Sequence, residues 1–304
     1  MSKYIFANIL GSFVFDAGFN LIDKGQVEDA ENIAKRHTAV IPSDDEIKKI
    51  LEFFKRKEFF AEFHKKNIEL TKRQIRNSVS DDMLIIQAIG CIEDIDKAAN
   101  TLIKRLREWY CLHNPEFSEK VSSNERFSEL IIAKDRKELL KEISVPEESS
   151  MGAELGKGDV AQILLLAEHL KSLYILRKKQ EEYIENIMKK VCPNLSIVAG
   201  HLIGAKLIEK AGGIKRLMEF PASTVQLLGA EKALFRHMRT GARAPKHGII
   251  HKHPLISKSK RKEHGKIARA LADKISIAVK IDYFKGEFIG DRLLLGLEER
   301  FSVK

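Results

Sequence analysis

The stretch Ile85-Ile-Gln-Ala-Ile-Gly-Cys-Ile-Glu-Asp-Ile-Asp-Lys-Ala-Ala-Asn-Thr-Leu-Ile-Lys-Arg-Leu-Arg-Glu-Trp109 decides the fold. Ile85, Ala88, Ile92, Ile95, Ala99, Leu102, Leu106 and Trp109 recur in alternating steps of three and four. That spacing keeps one apolar seam along one side of a long helix. Asn114-Pro115 ends it, because proline cannot continue an α-helix interior. A second long helix is expected to open at Asp159, with Gln162 three residues on as a capping pair. There Ile163, Leu166, Leu170, Leu173, Ile184, Ile187 and Val191 continue the three-four pattern, Arg177 and Gln180 interrupt it, and Pro193 closes it. Two long helices with matching seams predict an antiparallel coiled-coil hairpin. A compact bundle of the same helices is the alternative. The candidate seam residues for protein–protein contact are Ile85, Ile92, Ile95, Leu102 and Leu106, with Leu166, Leu170, Leu173, Ile184 and Ile187.

Outward from the hairpin, the chain is expected to be mainly α. Tyr4–Leu10 and Phe13–Asp16 are rich in aromatic and β-branched residues and flank Gly11-Ser12, which reads as a β-hairpin turn. From Val27 the pattern is helical, with a new helix start at Pro42-Ser43-Asp44-Asp45. Residues 1–75 therefore read as a small α/β domain. Residues 76–193 form the hairpin, with an insertion at 116–157 carrying Phe127, Leu130, Ile131, Leu139, Leu140 and Ile143. Residues 194–304 read as an all-helical domain: Leu202, Ile203, Leu207 and Ile208 share a face, Gly212-Gly213 can stop that helix, and 265–300 resume helix.

Charge is unevenly spread. Residues 1–150 hold 24 basic and 27 acidic side chains, and residues 151–304 hold 29 and 16. From Lys232 to Arg269 there are twelve Lys or Arg against the single acid Glu263. Such a concentration calls for a polyanionic partner or a large solvated face. Nucleic acid fits better than a membrane surface, which would pair the charge with Trp or Phe; the one Trp, Trp109, is remote. No apolar run approaches a membrane span, and the short apolar N-terminus breaks at Gly11-Ser12, unlike a signal peptide. Cys91, Cys111 and Cys192 are isolated and odd in number; they suit a reducing compartment and read as buried apolar thiols.

Within the basic stretch, Ser223-Thr-Val-Gln226 reads as a capping box opening a short helix, and Glu231–Arg239 as another helix. Lys232, Arg236 and Arg239 share one face of it; Leu234, Phe235 and Met238 fall on the other side and are expected to anchor it in a core. The loop from Thr240 through Arg243, Lys246 and His247 to Gly248 can bring backbone amides and arginine forks close to phosphates. Lys232, Arg236, Arg239, Thr240, Arg243, Lys246, His247 and Lys252 are the candidate RNA-binding residues. His247, His251, His253 and His264 invite a metal reading, but no acid or Cys lies close in sequence and Lys246 and Lys252 would repel a cation. The sequence holds no Walker lysine motif, no Gly-x-Gly-x-x-Gly after a strand, no Gly-x-Ser-x-Gly and no His-Glu-x-x-His, so no catalytic residue, metal or cofactor is assigned. Gly156-Lys157-Gly158-Asp159 reads as a linker and helix cap.

Gly229-Ala-Glu-Lys-Ala-Leu-Phe-Arg-His-Met-Arg-Thr-Gly-Ala-Arg-Ala-Pro-Lys-His-Gly-Ile-Ile-His-Lys-His-Pro-Leu-Ile256 resembles the signature of the Nop domain, found in core proteins of box C/D RNA-guided methylation particles and, more distantly, in a splicing factor. Leu106–Phe117 and Met151-Gly-Ala-Glu-Leu155 resemble two further signatures of that family, and the match runs from about residue 80 onward. His251-Lys252 stands where the family often has Tyr-Gln. The resemblance implies an archaeal-type, cytoplasmic member without a Lys/Glu-rich tail. It implies that residues 1–75 hold the methyltransferase fibrillarin, that the coiled coil pairs two copies, and that the Nop domain clamps a kink-turn guide RNA with its small ribosomal-type binding protein. The chain is then a non-catalytic scaffold for 2′-O-methylation of rRNA or tRNA. The competing readings are a stand-alone helical nucleic-acid-binding protein and an RNA-directed enzyme, the latter lacking any motif to support it.

Overall fold

A computed structural model describes residues 3–301, which fall into two compact units divided after Ser80.

The first unit is a three-stranded antiparallel sheet, β1 (Tyr4–Asn8), β2 (Gly11–Phe15) and β3 (Leu21–Gly25), in that order, with α1 (Ala30–His37), α2 (Asp44–Phe54) and α3 (Lys57–Asn77). The expected hairpin is present, but its turn lies at Ile9-Leu10, closed by the Asn8–Gly11 pair and by Leu10 N–H donating to Asn8 Oδ1 at 2.8 Å. Gly11 is required for another reason. Its φ is +147°, and a Cβ there would stand 2.4 Å from the Gly25 carbonyl oxygen of β3. A turn and a close strand approach both select glycine, so sequence alone does not separate them. The start of α2 is as expected: Ser43 and Glu46 form a reciprocal capping box. Phe13, Phe15, Leu10 and Ile50 are buried together, with Phe13 edge-on to Phe54 at 4.8 Å and Phe15 edge-on to Phe53 at 5.3 Å.

The second unit is wholly helical among the described residues. It is built on α4 (Asp81–Cys111), and the insertion carries α5 (Pro115–Lys120), α6 (Asn124–Ala133) and α7 (Arg136–Glu142). The return helix is α8 (Lys157–Val191), followed by α9 (Pro193–Ala199), α10 (His201–Ala211), α11 (Ile214–Glu219), α12 (Ala222–Leu227), α13 (Glu231–Thr240), α14 (Pro254–Ser257), α15 (His264–Tyr283) and α16 (Gly290–Arg300). α4 and α8 are antiparallel: Asp81 pairs with Lys190 at one end and Asp96 with Arg177 midway. α8 opens at Lys157, two residues earlier than expected, and leaves Asp159 in the first turn, where its charge suits the helix dipole. Pro193 ends α8 and starts α9. Gly212, at φ +82°, ends α10 as expected.

The seam keeps its expected residues Ile85, Ala88, Ile92, Ile95, Ala99 and Leu106, but beyond Ala99 it begins to slip: Ile103 and Tyr110 are buried in place of half-buried Leu102 and exposed Trp109. A straight helix drifts from a strict heptad by about 20° per repeat, which accounts for the slip at the far end. On α8, Leu170 and Ile184 are buried and Leu166, Leu173 and Ile187 half-buried. These side chains pack within one hairpin. The buried seam residues serve packing within the hairpin, while Leu102, Leu166, Leu173 and Ile187 keep part of their surface exposed. Arg177 does interrupt the seam. Its guanidinium donates to Asp96 at 2.6 Å and pairs with Glu181 at 2.8 Å.

This polar layer separates two cores. At one end Ile85, Ile89, Ile92, Ile184 and Met188 join a core with Leu195, Leu207, Ile250, Leu271 and Ile275, so no break in packing falls at residue 193. At the other, Ile103, Leu106, Ile163 and Leu170 join Phe117, Phe127, Leu139 and Leu140 of the insertion. Arg107 ties the insertion down by donating to the carbonyls of Ser118 (2.8 Å) and Val121 (2.7 Å), with its guanidinium 4.4 Å over Phe127. The expected helix over 265–300 breaks between α15 and α16. Buried Asp282 turns there to accept from Asn194 N–H (3.1 Å), Asn194 Nδ2 (2.8 Å) and Leu195 N–H (2.8 Å), capping α9, and Asn194 Oδ1 accepts from Ile289 N–H at 2.7 Å. Cys192 is buried, with its thiol pKa pushed up by burial, but Cys91 and Cys111 are exposed on the polar side of α4, against expectation. Among the described residues no helix is long and apolar enough to cross a membrane.

Candidate nucleic-acid interface

α13 begins after Gly229, whose φ is +86° and whose N–H donates to Glu231 Oε1 at 2.6 Å. It ends at Gly241 in the left-handed conformation. Lys232, Arg236 and Arg239 are exposed on one face, as the spacing predicts. The opposite expectation fails. Leu234 and His237 are half-buried, but Phe235 is 61% and Met238 70% exposed, and no residue of α13 is fully buried. A basic face and an apolar strip therefore stand open side by side on one helix. Thr240 is exposed, but its hydroxyl donates to the Arg236 carbonyl at 2.7 Å, an intrahelical use.

The loop after α13 is held at its far end. Gln226 Nε2 donates to the Lys246 carbonyl at 2.7 Å, Gly248 N–H to the Gln226 carbonyl at 2.8 Å, and Ile249 N–H to the Leu228 carbonyl at 2.8 Å. A Cβ at Gly248 would stand 1.9 Å from the Leu228 carbonyl oxygen, so only glycine allows this approach. The expected capping box at Ser223 is absent: α12 starts at Ala222 after Pro221, and Gln226 is spent on the loop instead.

Arg243, Lys246 and His247 line one recess of about 530 Å³, completed by Ser259, Arg261 and His264. Lys252 belongs elsewhere. It lines a separate recess of about 570 Å³ with Arg177, His201, Lys206 and several apolar side chains. The sequence reading thus grouped Arg243, Lys246 and His247 as the structure does but set Lys252 beside them; it named His264 only among the four histidines weighed for metal, and it missed Arg261, which the dense basic run 258–266 could have flagged. His247 stacks on His251 with centroids 5.8 Å apart and lies 5.7 Å from His264. Burial first, then His251, His264 and Lys246, hold the His247 pKa below its ordinary value. His253 is buried in packing, and its Nδ1 accepts from Leu255 N–H at 3.3 Å. Among the described residues no three His, Cys, Asp or Glu side chains are placed to hold a metal ion. The surface offers cationic donors to anionic oxygens.

A family model described as "Nop: snoRNA binding domain, fibrillarin" matches residues 91–302. An uncharacterised NOP5 family protein of Methanocaldococcus jannaschii is 42% identical over 258 residues, covering 80% of this chain and 62% of that protein. Nucleolar protein 58 of Schizosaccharomyces pombe is 36% identical over 237 residues (73% of this chain, 46% of that protein). Nucleolar protein 56 of Dictyostelium discoideum is 39% identical over 222 residues (67% and 41%). The chain thus spans less than two thirds of the length of these relatives. The crystal structure of a fibrillarin/Nop5p complex aligns over 98% of both chains at 24% identity with a TM-score of 0.48.

Proposed function

We propose a scaffold function for this chain from one premise: it belongs to the Nop family, whose model covers residues 91–302. On that reading it is a non-catalytic RNA-binding component of a box C/D ribonucleoprotein, linking the methyltransferase fibrillarin to a kink-turn guide RNA for 2′-O-methylation. One observation carries it. Inside the region matched by a snoRNA-binding model, α13 leaves both a basic face (Lys232, Arg236, Arg239) and an apolar strip (Phe235, Met238) uncovered. A helix that only packed would bury its apolar side. Phosphates alone would satisfy only the basic face. Both faces are satisfied by a composite partner, RNA together with its kink-turn-binding ribosomal-type protein.

In this reading Arg243, Lys246 and His247 contact backbone phosphates, Lys252 serves a neighbouring surface, and Thr240 fixes the end of α13. The first unit holds fibrillarin. Copies pair through the hairpin, not through the buried seam but through its outer side. Leu165, Leu176 and Tyr183 are 47%, 41% and 43% exposed. At 3.6 residues per turn these three positions fall within about 20° of one another around α8. The relative from Methanocaldococcus jannaschii supports an archaeal-type, cytoplasmic setting.

The test is a gel-shift series on kink-turn RNA with Arg236→Ala, Arg243→Ala and Phe235→Asp, with and without the kink-turn protein. The arginine changes should weaken binding in both formats and lower the salt dependence, by somewhat less than one unit of slope per lost phosphate contact. Phe235→Asp should weaken the ternary complex by more than it weakens bare-RNA binding, where its added charge beside Arg236 acts alone. Undiminished affinity in the double arginine variant would reduce the segment to a solvated face, and equal affinity for duplex DNA would favour a stand-alone nucleic-acid binder.

A further inference from the structure

The recess beside the loop has a composition that plain phosphate attraction does not require. Its cations come from two directions, Arg243 and Lys246 from the loop and Arg261 from the segment before α15, and no acidic side chain lines it. Lys246 is held across it, its ammonium donating to the Arg261 carbonyl at 3.3 Å. With these cations two imidazoles line the recess, His247 and His264 with ring centroids 5.7 Å apart, while His251 stacks on His247 from outside the lining at 5.8 Å. His251 Nδ1 donates to the Gly248 carbonyl at 3.0 Å and His264 Nε2 to the Ser259 carbonyl at 3.1 Å. A carbonyl only accepts, so those nitrogens carry the ring proton. His251 Nε2 and His264 Nδ1 are left as the atoms able to take a second one.

The charged side chains lining the recess are Arg243 and Lys246 on the loop and Arg261 before α15; Lys262 and Lys266 lie close by in sequence, and Glu263, the nearest acid in sequence, is exposed. α15 starts at His264 with no acidic residue in its first turn, so its dipole adds positive potential. Burial first, then the neighbouring His251, His264 and Lys246, hold the His247 pKa below its ordinary value. An oxyanion entering the recess reverses the sign of the local field and stabilises imidazolium.

We propose that this recess is a seat for an RNA backbone phosphate whose histidines take up a proton as the phosphate enters, so that RNA binding tightens as pH falls. This rests on the RNA-binding reading above. The complex then holds more protons than its separated parts. Affinity rises toward low pH across the window between the free and bound imidazole pKa values, by about tenfold per pH unit for one proton.

The experiment follows fluorescence anisotropy of a 5′-hydroxyl kink-turn hairpin RNA on the full chain, at fixed salt, from about pH 7.5 to about pH 5.5. The unmodified chain should gain about tenfold in affinity per pH unit for each proton taken up. His247→Asn with His264→Asn should flatten the profile, whereas Arg236→Ala should lower affinity at every pH and keep the slope. In parallel, nitrogen NMR of histidine-labelled unmodified chain should show the His247, His251 or His264 pKa rising when RNA is added, a readout that no misfolded variant can confuse. RNA binding with the same pH slope in the unmodified and double-histidine chains, and with imidazole pKa values unmoved by RNA, overturns the proton-coupled seat and leaves the RNA-binding reading intact. No RNA binding at any pH overturns both.

Discussion

His247, His251, His253 and His264 look alike in sequence, yet the fold gives them two different jobs. His253 precedes Pro254, the first residue of α14, and its Nδ1 caps that helix by accepting from Leu255 N–H. It is only 6% exposed, and burial holds its pKa below the ordinary histidine value. The unfolded chain therefore binds a proton that the folded chain rejects. Stability supplied by neutral His253 is complete above about pH 6.5 and is lost as pH falls below it toward the folded pKa. We predict that the urea midpoint of the unmodified chain drops between about pH 7.5 and about pH 5.5, and that His253→Leu drops less over the same range. The same variant should cost about 1 kcal/mol at the upper pH through the lost cap. Parallel pH profiles for the two proteins would show that His253 is not the titrating group. His247 and His264 line a recess with room for an anion and His251 stacks on His247, a distinction that spacing in the sequence does not carry, because it depends on where the 258–266 segment returns.

At the scale of elements, the α4–α8 hairpin was legible because a three-four repeat allows few structures, and Arg177 was legible as an interruption because a charge has no place on an apolar seam. Three features were not legible, each for a physical reason. The register slip beyond Ala99 comes from the small mismatch between helix and heptad periods, which matters only after several turns. The third strand, β3, includes Asp23 and Lys24 with one exposed side, so it lacks an apolar alternation. The exposure of Phe235 and Met238 is hidden because an amphipathic period is the same whether a helix packs on its own chain or awaits a partner. The hairpin itself separates folding from pairing. Ile92 is buried in the seam. Ile92→Asp should therefore cost several kcal/mol by placing an unpaired carboxylate in the core. Leu176 lies on the outer side and is exposed. Leu176→Asp should stay within about 0.5 kcal/mol of the unmodified protein yet abolish pairing of copies. Thermal melts and light scattering on both variants decide this. A Leu176→Asp chain that still pairs would place the contact on another face.

At the scale of the whole molecule, the two compact units have separate cores: Phe13, Phe15, Leu10 and Ile50 in the first, and the two helical cores in the second. They also differ in charge. Residues 1–80 hold 14 basic and 12 acidic side chains; residues 81–304 hold 39 and 31, of which Lys232–Arg269 alone contribute twelve and one. Everything else in the second unit is therefore net acidic, so on the proposed reading the attraction for RNA centres on the stretch 232–269. One rival exists in the first unit. α3 carries Lys57, Lys65, Lys66, Lys72, Arg73 and Arg76, but Glu58, Glu62 and Glu69 offset half of that charge, and Lys66 already pairs with Glu62 at 3.4 Å. If the chain binds RNA as proposed, a local excess of three against eleven assigns most of the counterion release to the second unit. We predict that a fragment of residues 81–304 folds cooperatively, because each of its cores is complete without the first unit. It should keep the RNA affinity of the full chain with a salt slope changed by less than about one unit, and lose fibrillarin capture altogether. Circular dichroism, salt-dependent anisotropy and fibrillarin pull-down on the fragment test the three parts. A much shallower slope would transfer part of the RNA surface to α3, and retained fibrillarin capture would move the methyltransferase-binding role out of the first unit.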